Sequence, residues 1–197
     1  TTAQSSNYPN SFRWSGSESN KSNTWSSSTL NTSSLNGTFL TNLGTTWTNK
    51  IATTTWNVGG GSGANLRESN AKNTYNYEVG ANKSSTTYNA KIGLPYVNEY
   101  YFAATPTYWT YPGYNSDATK DYRAASDSNW MENDRNYWTI SRVSDASNAA
   151  FRVFSSGYMR SYGVNNDVRV RPSFNLVSSV KTSGGSGTQS DPYRIEL

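Results

Sequence analysis

The sequence predicts an α+β fold, in which one or two helices pack on a twisted antiparallel sheet with long loops between the elements. Three observations favour this fold. Apolar side chains recur at helical spacing near residues 35–51, whereas alternation with a period of two fills the C-terminal third. Aromatic residues make up 14% of a chain that is only 34% hydrophobic. Because each aromatic side chain buries a large area, a few of them can build a core, and the composition does not indicate disorder.

The first 28 residues are rich in Ser, Asn and Thr, with aromatic side chains at Tyr8, Phe12, Trp14 and Trp25. We predict that residues 1–28 form an extended N-terminal segment and that residues 29–197 form the domain itself. The segment has too few apolar residues for a core of its own. Its aromatic side chains are therefore expected to lie against the domain.

One amphipathic helix is predicted over about residues 35–50. Its apolar positions recur every four residues, at Leu35, Phe39, Leu43, Trp47 and Ile51. We expect the first four of these side chains to pack on the sheet. Gly37 and Gly44 weaken the helical pattern, because glycine is a poor helix former.

The middle of the chain alternates short strands with loops. Residues 53–58 predict a strand that ends in the glycine-rich stretch 59–63, which we interpret as a loop inside one domain. A linker between two domains is the alternative, but neither flank has enough apolar residues for a core. Residues 90–94 predict a second strand, followed by an aromatic turn or helix over 96–104. Residues 105–136 predict a long loop, either functional or held down by its aromatic side chains, Tyr108, Trp109, Tyr111 and Trp130.

The C-terminal third predicts consecutive antiparallel strands over 137–142, 150–154, 158–162 and 168–176. Alternating apolar and polar residues indicate one buried face and one wet face. Pro172 has no N–H to donate, which places it at an edge, a bulge or a strand end. Residues 180–197 predict a closing hairpin or an edge strand.

The composition indicates where the protein is located and which classes of partner it binds. Only 15% of residues are charged, and uncharged polar surfaces of this kind are typical of extracellular bacterial proteins. Since the chain opens at Thr1 and not at Met, we expect that an upstream segment was removed. No apolar run approaches the ~18 residues that cross a bilayer, so no membrane span is predicted. The 17 Lys and Arg residues are scattered singly against 13 Asp and Glu, which argues against a nucleic-acid partner.

The chain contains no histidine and no cysteine, which excludes most familiar catalytic sites. A Ser-His-Asp triad, a cysteine nucleophile and an ordinary zinc site all need those side chains. Glu132 and Asp134, near Trp130, could hydrolyse a glycosidic bond, and the stretches 132–134 and 165–167 could bind Ca²⁺. We favour structural turns at both places and a structural role for Arg171. The sequence thus predicts a non-enzymatic protein without cofactor or metal.

A set of Tyr, Asn, Asp and Arg side chains is predicted to lie on exposed strand faces and turns of the C-terminal third. These residue types are typical of adaptable binding surfaces. We predict a ligand-binding surface here, and a merely soluble sheet face is the alternative. The predicted site consists of Arg142, Asp145, Asn148, Arg152, Tyr158, Arg160, Tyr162, Asn165 and Asn166.

A series of short motifs resembles one bacterial family over roughly residues 25–197. The motifs are Leu-Asn-Gly at 35–37, Trp-Thr-Asn-Lys-Ile-Ala at 47–52, Trp-Asn-Val-Gly-Gly at 56–60, Ala-Lys-Ile-Gly-Leu at 90–94, Trp-Thr-Ile-Ser-Arg at 138–142, Val-Arg-Pro-Ser-Phe-Asn-Leu at 170–176, Gly-Ser-Gly-Thr at 185–188 and Asp-Pro-Tyr at 191–193. They are similar to an uncharacterised domain of exported Firmicutes and Mollicutes proteins, often carried behind a prepilin-like helix. That domain resembles the formylglycine-generating-enzyme branch of the C-type-lectin-like fold.

The resemblance implies a C-type-lectin-like fold whose C-terminal region displays a ligand surface. Because the formylglycine-generating enzymes use cysteine, it does not imply their activity. We therefore expect an extracellular recognition or adhesion module that binds a glycan or a protein. The alternative is a structural subunit of an extracellular, pilus-like filament whose partners are copies of itself. In that case residues 1–14 would pair with a neighbouring subunit, Phe12 and Trp14 would fill its pockets, and strand 193–197 would offer an open edge.

Overall fold

The computed structural model describes residues 11–15, 19, 21–111, 122–188 and 190–196, and this part of the chain has an α+β fold. The strands are β1 (Ser11–Phe12), β2 (Thr54–Asn57), β3 (Thr87–Ala90), β4 (Tyr137–Arg142), β5 (Ala149–Val153), β6 (Met159–Gly163), β7 (Val168–Arg169), β8 (Thr182–Gly184) and β9 (Arg194–Ile195). The α-helices are α1 (Leu40–Thr48), α2 (Gly63–Leu66), α3 (Ala71–Glu78), α4 (Val97–Phe102) and α5 (Tyr122–Asp127). A π-helix (Leu30–Phe39) precedes α1, and 3₁₀ turns lie at Trp25–Ser27 and Pro106–Tyr108.

A five-stranded sheet in the order β1-β7-β4-β5-β6 forms the centre of the fold. β4, β5 and β6 are antiparallel neighbours, which confirms the predicted C-terminal meander. β7 pairs parallel with β4, and β1 pairs antiparallel with β7. The N-terminal strand thus enters the sheet beside the strands from the C-terminal third.

The sheet carries a core on each face, so the prediction of one buried and one wet face is wrong. On one face Trp138, Ile140 and Ala150 join the first core. On the other face Tyr137 and Phe151 join a second core, in which Tyr137 lies edge-to-face with Tyr100 of α4 at 6.4 Å. Because helix α4 covers the second face, strand β4 is buried on both sides although its sequence alternates.

The predicted helix at 35–50 begins earlier and is not a uniform α-helix. Its first part, Leu30–Phe39, is a π-helix, in which side chains five residues apart share a face. Leu30 and Leu35 are both buried for this reason. α1 breaks at Gly44, where φ is 74°, and Trp47 in its last turn is only half-buried. Among the described residues, no helix is both long and apolar enough to cross a membrane.

The N-terminal aromatic side chains pack into their own domain, as predicted for the segment. Trp14 and Trp25 are fully buried in the first core with their rings edge-to-face at 5.0 Å. The Trp138 indole N–H donates to the carbonyl of Phe12 at 2.9 Å. The prediction that Phe12 and Trp14 fill pockets of a neighbouring subunit is therefore wrong, because both contact this domain. Tyr8 lies outside the described residues.

The predicted strand at 53–58 is present as β2, which pairs with β3. β3 ends at Ala90, so the strand predicted over 90–94 lies earlier than expected. The glycine-rich stretch belongs to the domain and is not a linker. Gly61 bridges Val143 beside the end of β4, and the Gly61 N–H donates to the Arg142 carbonyl at 3.2 Å.

The stretch 105–136 is partly helical, and residues 112–121 of it lie outside the described part. Trp109 is held as predicted, because its indole N–H donates to the Ala104 carbonyl at 2.8 Å and its ring packs on Phe102 at 5.0 Å. Trp130 is 75% exposed, so the prediction that it holds the loop down is wrong.

The last predicted strand, 168–176, is shorter than expected. Only β7 is regular, and Pro172 follows it, where a ladder donor is missing. Phe174 and Leu176 are exposed instead of sharing a buried face with Val168. The closing hairpin is confirmed, because β8 pairs antiparallel with β9.

Candidate functional site

The structure divides the predicted site into three groups. Arg142, Asp145 and Asn148 lie at one end of the β4–β5 hairpin, and Asn165 and Asn166 lie in the turn after β6. The third group consists of Arg152, Arg160 and Tyr162, which share a face of β5 and β6 by register, and of Tyr158, which directly precedes β6. Only this third group forms a connected cluster.

Strand register brings the Arg152 cluster together, which we define as Arg152, Phe154, Tyr158, Arg160 and Tyr162. Arg152 and Arg160 are direct partners across β5 and β6, so their side chains share a face. The Arg152 guanidinium lies 3.7 Å from the centre of the Tyr162 ring and 5.1 Å from that of Phe154. Phe154 in turn stacks on Tyr158 at 4.8 Å. Planar guanidinium groups pack well on aromatic faces, which explains the arrangement.

Arg152 is only 6% exposed, so its predicted place on an exposed face is wrong. The rings of Tyr162 and Phe154 cover it. Its Nε has no hydrogen-bond partner among the described residues. Burial lowers the pKa of Arg152, and the neighbouring charge of Arg160 lowers it further. The cluster therefore holds a partly desolvated cation.

A polar groove of about 570 Å³ opens beside the Arg152 cluster. Three separate parts of the chain form it: β1, the turn before β4, and the strands and turns from β5 to β7. The residues that line the groove are Ser11, Asp134, Arg135, Asn136, Arg152, Ser155, Tyr162, Asn166, Asp167, Val168 and Arg169. Arg152, Tyr162 and Asn166 of the predicted site therefore meet here, with neighbours that the sequence analysis missed.

The hairpin-end residues have mainly structural contacts. The Arg142 side chain donates from Nε to the Gly59 carbonyl at 3.0 Å, which ties β4 to the glycine-rich loop. Asp145 and Asn148 are exposed in the β4–β5 turn. Asn23 stabilises that turn, because its side-chain amide donates to the Val143, Ala146 and Ala149 carbonyls.

The carboxylates considered for catalysis or Ca²⁺ binding are engaged in local structure. Glu132 accepts hydrogen bonds from the Tyr100 hydroxyl at 3.0 Å and from the Asp134 N–H at 2.7 Å. Asp167 faces the Arg13 guanidinium at 3.5 Å. Arg171 donates to the Met131 carbonyl and lies over Tyr137, which confirms its structural role. Within the described ranges, no three acidic side chains cluster as metal ligands would.

A second, apolar groove of about 740 Å³ lies beside α3 and α4 and was missed by the sequence analysis. Trp130 and Tyr75 form its exposed rim, at 75% and 45% exposure. Phe102 and Pro95 contribute apolar wall, and Glu99 a carboxylate. The aromatic residues were visible in the sequence, but nothing local showed that α3 and α4 bring them together.

A buried carboxylate, Glu78, joins three elements behind this groove. It is 3% exposed at the end of α3. It accepts from the Val97 N–H at 3.1 Å and from the Asn98 N–H at 2.7 Å, both at the N-terminus of α4. The Asn98 side-chain amide and the Ser141 hydroxyl donate to it as well. The sequence offers no signal for this role, since its partners lie far along the chain.

The free energy of unfolding is predicted to fall as the pH rises through the pKa of Glu78. Burial raises the pKa of Glu78 from 4.5 to about 7 in the folded chain, although its hydrogen bonds oppose this shift. The folded chain therefore binds more protons than the unfolded chain between these values, and the free energy of unfolding declines across that window. The full decline is roughly 3 kcal/mol. Burial also raises the pKa of Glu99, which acts in the same direction.

Urea unfolding at several pH values between 4 and 8 measures this decline. Glu78→Gln removes the titrating group, so its profile is expected to be flatter over the same range. A free energy of unfolding that rises with pH in the parent chain, or an unchanged slope in the variant, contradicts the assignment.

Comparison with protein-family models, with curated proteins and with solved structures finds no match to this chain.

Proposed function

We propose that this chain is a non-enzymatic recognition module of a bacterial extracellular surface and that it binds its ligand in the polar groove. The observation that carries the proposal is the buried, aromatic-covered Arg152 at the wall of an open groove. Arg152 lines this groove, and its buried Nε has no hydrogen-bond partner within the described part of the chain. Binding sites commonly combine such a concave shape with a few converging polar groups.

Several sequence features support a binding role over catalysis. The chain has no histidine or cysteine to act as base or nucleophile. Glu132 is held in a turn, and Glu78 lies buried away from the groove. The groove residues are mainly Arg, Asn, Ser, Asp and Tyr, which donate and accept hydrogen bonds.

We further propose that the fold is C-type-lectin-like. A five-stranded sheet with helices on its faces and a separate C-terminal hairpin supports this, as do the motif series of the sequence. The extracellular location rests on the largely uncharged polar composition. The filament alternative loses its N-terminal argument, because Phe12 and Trp14 are bound within their own domain.

The test is an array of glycans and host proteins probed with the chain and with two variants. Arg160→Ala together with Arg169→Ala removes two exposed cations, one from the cluster and one from the groove. Each charge-assisted hydrogen bond contributes about 1.5–3 kcal/mol, so affinity for an array ligand is expected to fall about tenfold or more. The melting temperature is expected to stay unchanged, because both side chains are exposed.

Trp130→Ala provides the matched control on the apolar groove. It is expected to leave both affinity and melting temperature unchanged, since Trp130 is 75% exposed and lines the apolar groove instead of the polar one. Binding that survives the arginine changes but is lost with Trp130→Ala would place the site in the apolar groove and overturn the proposal.

A further inference from the structure

Arg152 is an incompletely satisfied buried cation. Its Nε lacks a hydrogen-bond partner within the described part of the chain, although the residue is only 6% exposed. A buried donor without an acceptor destabilises the folded chain. Tyr162 and Phe154 hold the guanidinium in place through their rings, so its donors are fixed in direction before any ligand arrives. Such a fork matches the two oxygens of a carboxylate or a sulfate.

Further cations surround the same groove. Arg135 and Arg169 line it with exposed side chains, and Arg160 lies beside Arg152 on the neighbouring strand. These charges attract an anion toward Arg152.

The groove also contains hydrogen-bond acceptors, which suit hydroxyl groups better than anionic groups. Asp134 and Asp167 line it together with the amides of Asn136 and Asn166. Carboxylates accept hydrogen bonds from hydroxyl groups, and amides both donate and accept. Asp167 already pairs with Arg13, so Asp134 is the carboxylate that disfavours a second anionic group, whereas neutral hydroxyls can pair with the acceptors and amides of the lining.

We infer that the polar groove binds a saccharide that carries a single carboxylate or sulfate group. Arg152 holds the anionic group, and the aspartates and asparagines hold the sugar hydroxyls. The inference rests on the proposal that this groove is the ligand site. An acidic peptide is expected to bind less tightly than an acidic sugar, because Asp134 would repel its successive carboxylates and the peptide has no hydroxyl groups for the acceptors.

NMR titration of the full chain tests the inference with matched probes. Glucuronic acid is compared with glucose, and galactose 6-sulfate with galactose. A triglutamate peptide serves as the acidic non-sugar. An acidic sugar is expected to shift the Nε–H signal of Arg152 and to bind about tenfold or more tightly than its neutral partner. The carboxylate and sulfate arms show which anion is preferred.

Variants separate the anion site from general charge. Arg152→Lys keeps the charge but loses the fork, and it is expected to weaken the acidic sugar about tenfold. Because this change alters a buried side chain, Arg135→Ala with Arg169→Ala is measured too, with exposed Arg194→Ala as the control for lost charge. The exposed pair is expected to weaken binding, and the control is not.

Two results overturn the inference while the proposed function stands: equal binding of a neutral sugar in the groove, or tighter binding of the peptide there. Both the inference and the proposed function are overturned if no probe shifts the Arg152 signal and the arginine variants still bind every array ligand that the parent binds.

Discussion

Glu78→Ala is expected to lower the free energy of unfolding by about 3 kcal/mol or more, since it leaves several buried donors unpaired and each such donor costs about 1–3 kcal/mol. Four hydrogen-bond donors contact this carboxyl group. Two of them are the Val97 and Asn98 N–H groups, which lie in the first turn of α4 and have no acceptor within the helix. Alanine offers no acceptor, and the site is buried between α3, α4 and β4. Urea unfolding at pH 5.5 measures the loss, because there the folded chain still holds its proton on Glu78.

The control is Glu68→Ala, which removes an exposed carboxylate that pairs with Arg67. An exposed ion pair contributes less than about 1 kcal/mol, so this variant is expected to unfold almost as the parent does. If both variants lose the same free energy, the network around Glu78 does not hold α3, α4 and β4 together.

The strands of the sheet could be predicted because they are local patterns. β4, β5 and β6 each alternate in sequence, and their turns are short enough to fix antiparallel pairing. What the alternation cannot give is the environment of each face. Tyr137 and Phe151 face helix α4, which lies more than thirty residues earlier in the chain, so burial of the second face is a tertiary effect.

The observed helical segment differs from the predicted one for another reason. A search at a period of 3.6 residues finds Leu35 to Ile51, but Leu30 and Leu35 are five apart and share a face only in a π-helix. The Asn36 side chain shows what this geometry serves. Its amide donates to the Ile92 carbonyl and accepts from the Ile92 N–H, both at 2.9 Å. The pair of bonds links the π-helix to the segment after β3.

The candidate site was predictable only in part, through residues that lie on one hairpin. Arg152, Arg160 and Tyr162 share a face by register, which the strand pattern implies. The sequence could not show that the rings would cover Arg152 and leave it buried. Nor could the sequence show that Ser11 and Arg135 line the same groove, since β1 and the segment before β4 are far apart in the chain.

Trp14→Ala is expected to destabilise the domain by about 3–5 kcal/mol, as replacement of a buried tryptophan by alanine typically does. Trp14 is fully buried, and its ring lies edge-to-face with those of Trp25 at 5.0 Å and Trp138 at 5.9 Å. Its carbonyl accepts from the Leu30 N–H at 3.2 Å, so the residue joins β1 to the start of the π-helix. Thermal and urea unfolding measure the loss.

Two substitutions isolate the cause of that loss. Trp14→Phe keeps an aromatic ring, and the indole N–H that it removes has no hydrogen-bond partner among the described residues. It is therefore expected to cost less than half as much as Trp14→Ala. Trp130→Ala makes the same deletion at a site that is 75% exposed, and it is expected to cost less than about 1 kcal/mol.

The Trp14 change is also expected to weaken ligand binding, because β1 is the partner of β7 along the polar groove. Ser11 and Arg169 pair directly and both line the groove, so loosening β1 moves one of its walls. Array binding is compared with the parent at a temperature where both proteins stay folded, to separate the moved wall from unfolding. Undiminished affinity in a destabilised Trp14→Ala variant would show that the ligand does not contact the β1–β7 side, and binding would then depend on the β5–β6 side alone.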